Sequence, residues 1–253
     1  MMAGVAQRYD RIGHTYGEFR RADPRVAEAI RLALGGAASV VDVGSGTASY
    51  GPRSLAQVVV AVEPSVTMIR QRPSESAPVI RAVSEALPLA TASFDAALAV
   101  LTVHHWSDPS RGLIEMRRVA GRQVVLTWDP EVYSRFWLVE EYLPEIAERE
   151  RSWATVATVA DLLPGSVIET VPVPWDCTDG FGAAYWRRPE RYLEPAARQA
   201  ISGLALCPPE AVDLAMRQLA SDLHSGAWAE RHRELLTVDN YDAGYRLVIA
   251  GGR

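Results

Sequence analysis

Lysine is absent from this 253-residue sequence, and cysteine occurs only twice, as Cys177 and Cys207. Two cysteines are too few for a disulfide framework or a zinc site. The 26 basic residues are therefore all arginines, outnumbered by 31 acids for a net charge of −5. They are spread along the chain, so the basic patch that tracks a nucleic-acid backbone is missing. Long hydrophobic runs are missing too. The longest, around Val58–Val62 and Ala96–Val103, fall far short of the ~20 residues that span a bilayer. The start, Met1-Met2-Ala3-Gly4, shows no apolar stretch behind a basic one, as a secretory signal would. These absences lead to the expectation of a soluble, cytoplasmic protein with no nucleic-acid or membrane partner.

What is present is enough apolar material for a sizeable core: 48% hydrophobic against 23% charged residues, a balance that excludes disorder. From Ser39 to Gly121 short apolar runs alternate with helix-compatible stretches. Ala38–Val43, Val58–Val62, Val79–Ala82, Ala96–Leu101 and Gln123–Trp128 fit buried strands, being Val- or Ala-rich and bounded by Gly, Pro or acids. Ser65–Arg72 and Pro109–Val119 fit crossover helices. In the second, Leu113, Met116 and Val119 recur at helical spacing while Arg111, Glu115 and Arg118 stay polar. Strands apolar on both faces and joined by helices predict an α/β, doubly wound, mostly parallel sheet.

Asp23-Pro24 opens a helix that runs to Leu34 and stops at Gly35-Gly36. Beyond the core, 131–151 reads as acidic, aromatic helix, 167–173 as a strand, 183–233 as mostly helical, and 245–250 as a last strand. A helical stretch that long between two strands exceeds a simple crossover and predicts a lid. The chain is thus one domain in four segments: a helical cap over 1–37, a core over 38–130, a substrate-side segment over 131–240, and a final strand over 241–253.

The core carries Val40-Val41-Asp42-Val43-Gly44-Ser45-Gly46-Thr47, a strand delivering a glycine turn. Glycines let a backbone turn sharply and approach a ligand closely. Glu63 ends the next strand, 17 residues after Gly46, where a carboxylate can accept hydrogen bonds from both hydroxyls of a ribose. A dinucleotide dehydrogenase shares these features but needs a third glycine three residues after the second. Here that residue is Ser49, which argues against NAD(P) and an oxidoreductase.

These segments, together with Ala61-Val62-Glu63-Pro64-Ser65, Glu85-Ala86-Leu87-Pro88-Leu89, Phe94-Asp95-Ala96 and Val103-His104-His105-Trp106, resemble the ordered motifs of class I S-adenosylmethionine-dependent methyltransferases, type 11 branch, over about residues 38–130. The ending Asp242–Ile249 resembles that family's antiparallel last strand, and Tyr16…Arg20…Asp23-Pro24-Arg25 resembles the opening of bacterial small-molecule members. The resemblance implies a Rossmann-like seven-stranded sheet whose last strand is antiparallel, with S-adenosylmethionine as cofactor and S-adenosylhomocysteine as product. It further implies that Gly44, Ser45 and Gly46 line the methionine and ribose, Glu63 holds the ribose hydroxyls, and Pro64 and Met68 flank the adenine. Ser84 and Glu85 would sit by its amino group, Leu101 and Thr102 under the sulfonium, and Tyr16 and Arg20 over the site. Two departures are Ala48, where the family often has glycine, and Val83, where an acid often contacts adenine.

Methyl transfer is an in-line displacement at a carbon activated by positive sulfur, so neither a metal nor a protein nucleophile is required, and the sequence offers no metal site. A base is needed only when the acceptor carries a weakly acidic proton. The candidates are His105, since neighbouring residues point in different directions and at most one of His104 and His105 faces the substrate, and Asp176 in the unusual stretch Trp175–Phe181. Trp106, Trp128, Tyr185 and Trp186 are candidate pocket walls, since aromatic faces attract a sulfonium, and Arg187 is a candidate for an anionic substrate. The reading is methyl transfer to a small molecule at O, N or C. The rival is a non-catalytic protein that binds the same cofactor.

Overall fold

The computed structural model describes residues 16–51, 58–151 and 153–251. Its centre is a seven-stranded sheet. The strands are β1 (Ser39–Val43), β2 (Val58–Val62), β3 (Val79–Ile80), β4 (Phe94–Val100), β5 (Ala120–Trp128), β6 (Val167–Thr170) and β9 (Tyr245–Gly251), in the order β3-β2-β1-β4-β5-β9-β6. The first five are parallel, and β9 runs antiparallel to both β5 and β6. This is the expected mixed α/β sheet with its antiparallel last strand.

The helices begin and end where local chemistry requires. α1 (Pro24–Leu34) starts with Pro24 behind Asp23, whose carboxylate accepts from the Arg25 amide at 2.9 Å, and it ends at Gly35 with φ 64°. α2 (Val66–Arg70) is capped by Ser65, which accepts from Met68 N. α3 (Pro109–Val119) is capped by Asp108, which accepts from Arg111 N at 2.9 Å. Leu113, Met116 and Val119 are buried as their spacing predicts. Glu115, expected to be polar and outward, is buried as well, because its carboxylate takes the Leu87 amide at 2.9 Å and pairs with Arg118 at 2.7 Å.

The sheet separates two cores. On one face α3 and α4 (Val156–Leu162) cover Val41, Val43, Ala97, Ala99 and Val125. On the other, α1 and the chain after 130 cover Val40, Ala96, Leu98, Val124 and Leu126. Strands buried on both faces account for their near-continuous apolar runs.

Two expectations change beyond the core. The run 167–173 is two strands, because Pro172 has no N–H to continue the ladder. β6 forms the fully exposed sheet edge, while β7 (Val173–Pro174) pairs with β8 (Asn240–Tyr241) in a separate small sheet. The segment 131–151 is not one helix but three pieces, Pro130–Tyr133, a π-helical turn over Leu138–Tyr142, and Pro144–Glu150. The segment 183–233 is helical in short pieces interrupted at prolines, around the longer α5 (Pro209–Ser225). Its Trp186, Tyr192 and Leu219 are fully buried in the larger core. Among the described residues no helix is long and apolar enough to cross a membrane, and no cluster of His, Cys, Asp or Glu could hold a metal ion.

Candidate active site

In an open parallel sheet the carboxyl ends of the strands gather the functional loops. Here β1 delivers the 44–46 turn, β2 delivers Glu63, and β4 delivers Leu101 and Thr102. Gly44 and Gly46 both have positive φ, 72° and 52°. Gly44 N and Ser45 N donate to the Val62 carbonyl at 2.8 and 3.1 Å, so the turn folds back over the end of β2. A Cβ on Gly44 would overlap the Thr102 hydroxyl, whereas a Cβ on Gly46 would meet nothing within 4 Å. The turn is therefore closed on its Thr102 side and open at Gly46.

Glu63 is 6% exposed. Its Oε2 accepts from Gly46 N at 2.8 Å and its Oε1 from Ser65 N at 2.9 Å. One carboxylate thus ties the glycine turn to the start of α2. Met68 and Ser84 are buried, and Pro64 is half-buried. Two residues that composition and spacing did not single out join this group. Arg72 donates to the Ser45 hydroxyl at 2.8 Å and to the Gly46 carbonyl at 3.2 Å. Asp42, buried in β1, has its carboxyl pushed up to about 7, chiefly by burial, with the Glu63 charge adding and the Arg72 charge opposing.

Beyond Leu101 lies a small cavity of about 40 Å³, walled by Leu101, His104, Trp128, Tyr133, Glu150 and Tyr245 together with Arg20, Phe181 and residues 201–203. Leu101 adopts φ 50°, a left-handed conformation costly for a branched side chain and commonest at functional sites. The antiparallel register sets Tyr245 beside Trp128. Aromatic contacts continue around the wall: His104–Trp128 at 4.3 Å, Tyr133–Tyr245 at 6.3 Å and Phe181–Tyr245 at 4.6 Å between centroids. Glu150, 2% exposed, accepts from Trp128 Nε1 at 2.9 Å, and burial pushes its carboxyl up to about 7 against the opposing effects of that hydrogen bond and the Arg149 charge.

Several candidate residues lie elsewhere. His105 is buried beneath its neighbour, and it is His104 that lines the cavity, stacked 4.9 Å from Trp153. Asp176 is a half-exposed surface partner of Arg25 at 2.7 Å, which removes it from the cavity. It belongs to a brace between 175–181 and the N-terminal segment, in which Thr178 N donates to Asp23 and Gly180 N to the Phe19 carbonyl. Arg20 lines the cavity but gives Nε to the fully buried Asp179 at 2.6 Å. Glu85 faces the start of α3, taking Ser107 N, the Ser107 hydroxyl and Asp108 N at 2.7 to 3.0 Å. Trp106 packs so tightly on Gly112 of α3 that a Cβ there would overlap its ring. Trp186 is core, donating to the Val173 carbonyl at 3.0 Å. Tyr185 is a buried ring flanked by Arg188 and Arg191. Arg187 holds the Val238 carbonyl at 2.9 Å and covers Trp175. Tyr16 begins the short helix Tyr16–Phe19, and its side chain lies outside the described residues.

A glycine turn after β1, a carboxylate after β2 and an antiparallel last strand together define the adenosyl-binding α/β methyltransferases. The methyltransferase-domain family matches residues 41–126. The chain is 30% identical to a protein of Anabaena variabilis provisionally assigned as a methyltransferase from an antibiotic biosynthesis pathway, covering 92% of this chain and 99% of that one with a TM-score of 0.84. It therefore belongs to the class I S-adenosylmethionine-dependent methyltransferases of the type 11 branch. Two more distant structures share the fold. One is a phosphoethanolamine N-methyltransferase of Haemonchus contortus with S-adenosylhomocysteine, 12% identical at TM-score 0.57, covering 98% of this chain and 59% of that one. The other is the geranyl diphosphate C-methyltransferase of Streptomyces coelicolor, also with S-adenosylhomocysteine, 15% identical at TM-score 0.50, covering 89% and 78%. No curated protein matches the sequence.

Proposed function

We propose that this methyltransferase acts on a small molecule whose reacting atom enters the cavity beyond Leu101. The observation that carries the reading is the link from Glu63 to Gly46 N at 2.8 Å, which ties a buried carboxylate to the glycine turn while the Cβ side of Gly46 stays open. Such a pair suits a ribose with its two hydroxyl donors. When bound, the cofactor supplies a methyl group made electrophilic by positive sulfur. Gly44, Ser45 and Gly46 would hold its amino-acid and ribose portion, Pro64, Met68 and Ser84 its adenine, and Leu101 and Thr102 would form the floor by the methyl. Tyr16 and Arg20 would cap the site.

The protein's own contribution is position and dryness. Leu101 directly follows β4 and lines the cavity wall, so it would mark the junction between cofactor and acceptor. Ile201, Ser202 and Gly203 bring the segment 183–233 into that wall, which supports its reading as a lid. The smallness of the cavity favours a small reacting group on the acceptor. Calorimetry with S-adenosylhomocysteine tests the reading. Wild type binds it, and Glu63→Ala weakens it at least tenfold; an unchanged affinity in that variant would overturn the assignment.

A further inference from the structure

Glu150 is the one carboxylate in the cavity wall among the described residues, and nothing above gives it a task. Its Oε2 takes the Trp128 indole N–H at 2.9 Å, and its Oε1 lies 3.6 Å from the point where Gly203 would carry a Cβ. It forms no salt bridge among the described residues. Arg149, next to it in sequence, directs its guanidinium to the Gly203 carbonyl at 2.6 Å and the Cys207 sulfur at 3.5 Å. The other titratable groups on this wall are His104, Tyr133, Tyr245 and Arg20, the last paired with Asp179.

Burying an acid without a counter-ion is costly and calls for compensation. Four aromatic rings, Trp128, Tyr133, Phe181 and Tyr245, surround this one, and ring faces attract cations. An anionic acceptor would be repelled here, and a neutral hydroxyl would leave the attraction of the rings unused. A cavity of about 40 Å³, against the roughly 10–15 Å³ that one water needs on the same measure, takes only the reacting head of an acceptor.

We propose that Glu150 binds the acceptor and receives its proton, and that the acceptor is a small amine arriving as its ammonium; this rests on the methyl-transfer reading given under Proposed function. An ammonium has no lone pair. Glu150 accepts one N–H proton and becomes the neutral acid. The freed nitrogen pair then forms the N–C bond to the methyl carbon as the C–S bond breaks, and that bond's electron pair stays on sulfur. The product leaves as the N-methylammonium, and the proton on Glu150 passes to solvent. The sum is an ammonium plus S-adenosylmethionine giving an N-methylammonium, S-adenosylhomocysteine and one proton. A carboxyl pushed up to about 7 by burial exchanges that proton near neutrality.

The probe is sinefungin, in which a carbon bearing a primary amine replaces the methylated sulfur, so its ammonium stands where the methyl would. Calorimetry compares sinefungin with S-adenosylhomocysteine on wild type, Glu150→Gln and Glu150→Asp. Glu150→Gln is expected to lose about tenfold or more in sinefungin affinity, a typical worth for a hydrogen bond between charged groups, with S-adenosylhomocysteine within twofold. Glu150→Asp, which keeps the charge, falls between. Equal changes for both ligands, or none, overturn the proposal. Pools of small amines, alcohols and phenols offered with labelled S-adenosylmethionine test the acceptor class, and label in the phenol or alcohol pool alone overturns it. The two readings fail differently. Wild type that ignores S-adenosylhomocysteine defeats the methyl-transfer site, whereas normal S-adenosylhomocysteine binding with sinefungin indifferent to residue 150 defeats only the role of Glu150.

Discussion

Replacing Glu150 by Gln should make the protein more stable at alkaline pH and leave it nearly unchanged in acid. The carboxyl group titrates at about 7 in the folded chain against an ordinary 4.5. An acid whose pKa is raised by folding favours the native state below its unfolded pKa, and the advantage is lost as pH rises through the folded value. At about 1.4 kcal/mol per pH unit, wild type loses about 2 to 3 kcal/mol at this site between pH 5 and pH 8. Gln keeps the acceptor for the Trp128 indole N–H and does not ionise. Any fixed packing cost of the amide cancels when the two pH values are compared. For a chain of this size, with about 2 to 4 °C per kcal/mol, the gap in Tm between variant and wild type should widen by roughly 5 to 10 °C. Denaturant titrations or thermal melts at pH 5 and pH 8 measure it. Parallel curves would show that the carboxyl is not held in a desolvated site, and the account of the cavity would fail with it.

Gly44→Ala should abolish S-adenosylhomocysteine binding and cost several kcal/mol of stability, since the new Cβ overlaps Thr102 at φ 72°. Adding Thr102→Ala should restore part of the stability, measured by melts, and a single variant that binds normally would refute the packing argument. Asp23→Ala should cost about 3 to 5 kcal/mol, because the fully buried acid caps α1 and holds Arg25 and Thr178. In wild type, burial raises the Asp23 pKa, but hydrogen bonds from Arg25 and Thr178 outweigh it and bring it to about 2. That stability is present above 3.8 and is lost as pH falls through about 2, which acid unfolding of wild type and variant will show. Asp176→Ala should change stability by less than about 1 kcal/mol and leave S-adenosylhomocysteine affinity unaltered; a large loss of affinity would return it to the site.

The parts of the fold that were legible in sequence are those where one physical rule decides. Strand segments buried on both faces, such as Ala61–Val62 and Ala96–Ala99, must be apolar, and Asp23-Pro24 or Asp108-Pro109 announce a helix start through the cap and the fixed φ of proline. The chain after 130 obeys no such single rule. Prolines 144, 189 and 195 each restart a short helix and Pro209 opens the longer α5, and what each piece buries is set by contacts distant in sequence, as when Trp137 donates to the Trp186 carbonyl at 2.9 Å. Aromatic residues there look alike whether they line a cavity or fill the core. Trp128 proved to be wall and Trp186 core, and composition does not separate them.

Charged residues gave the same difficulty in sharper form. Asp176 and Asp179 stand in an unusual sequence, yet their ion pairs with Arg25 and Arg20 build a brace. Glu150 stands in an ordinary one, among Glu145, Glu148, Arg149 and Arg151, which read as a solvated face. Its helical phase was the available signal. Leu143, Ile146 and Glu150 follow one another at spacings of three and four, which puts them on one face, and the first two are among the most buried residues of the chain. An acid in register with such neighbours cannot reach water without turning its helix. It must meet a donor or a cation instead, and the Trp128 indole N–H supplies only the first.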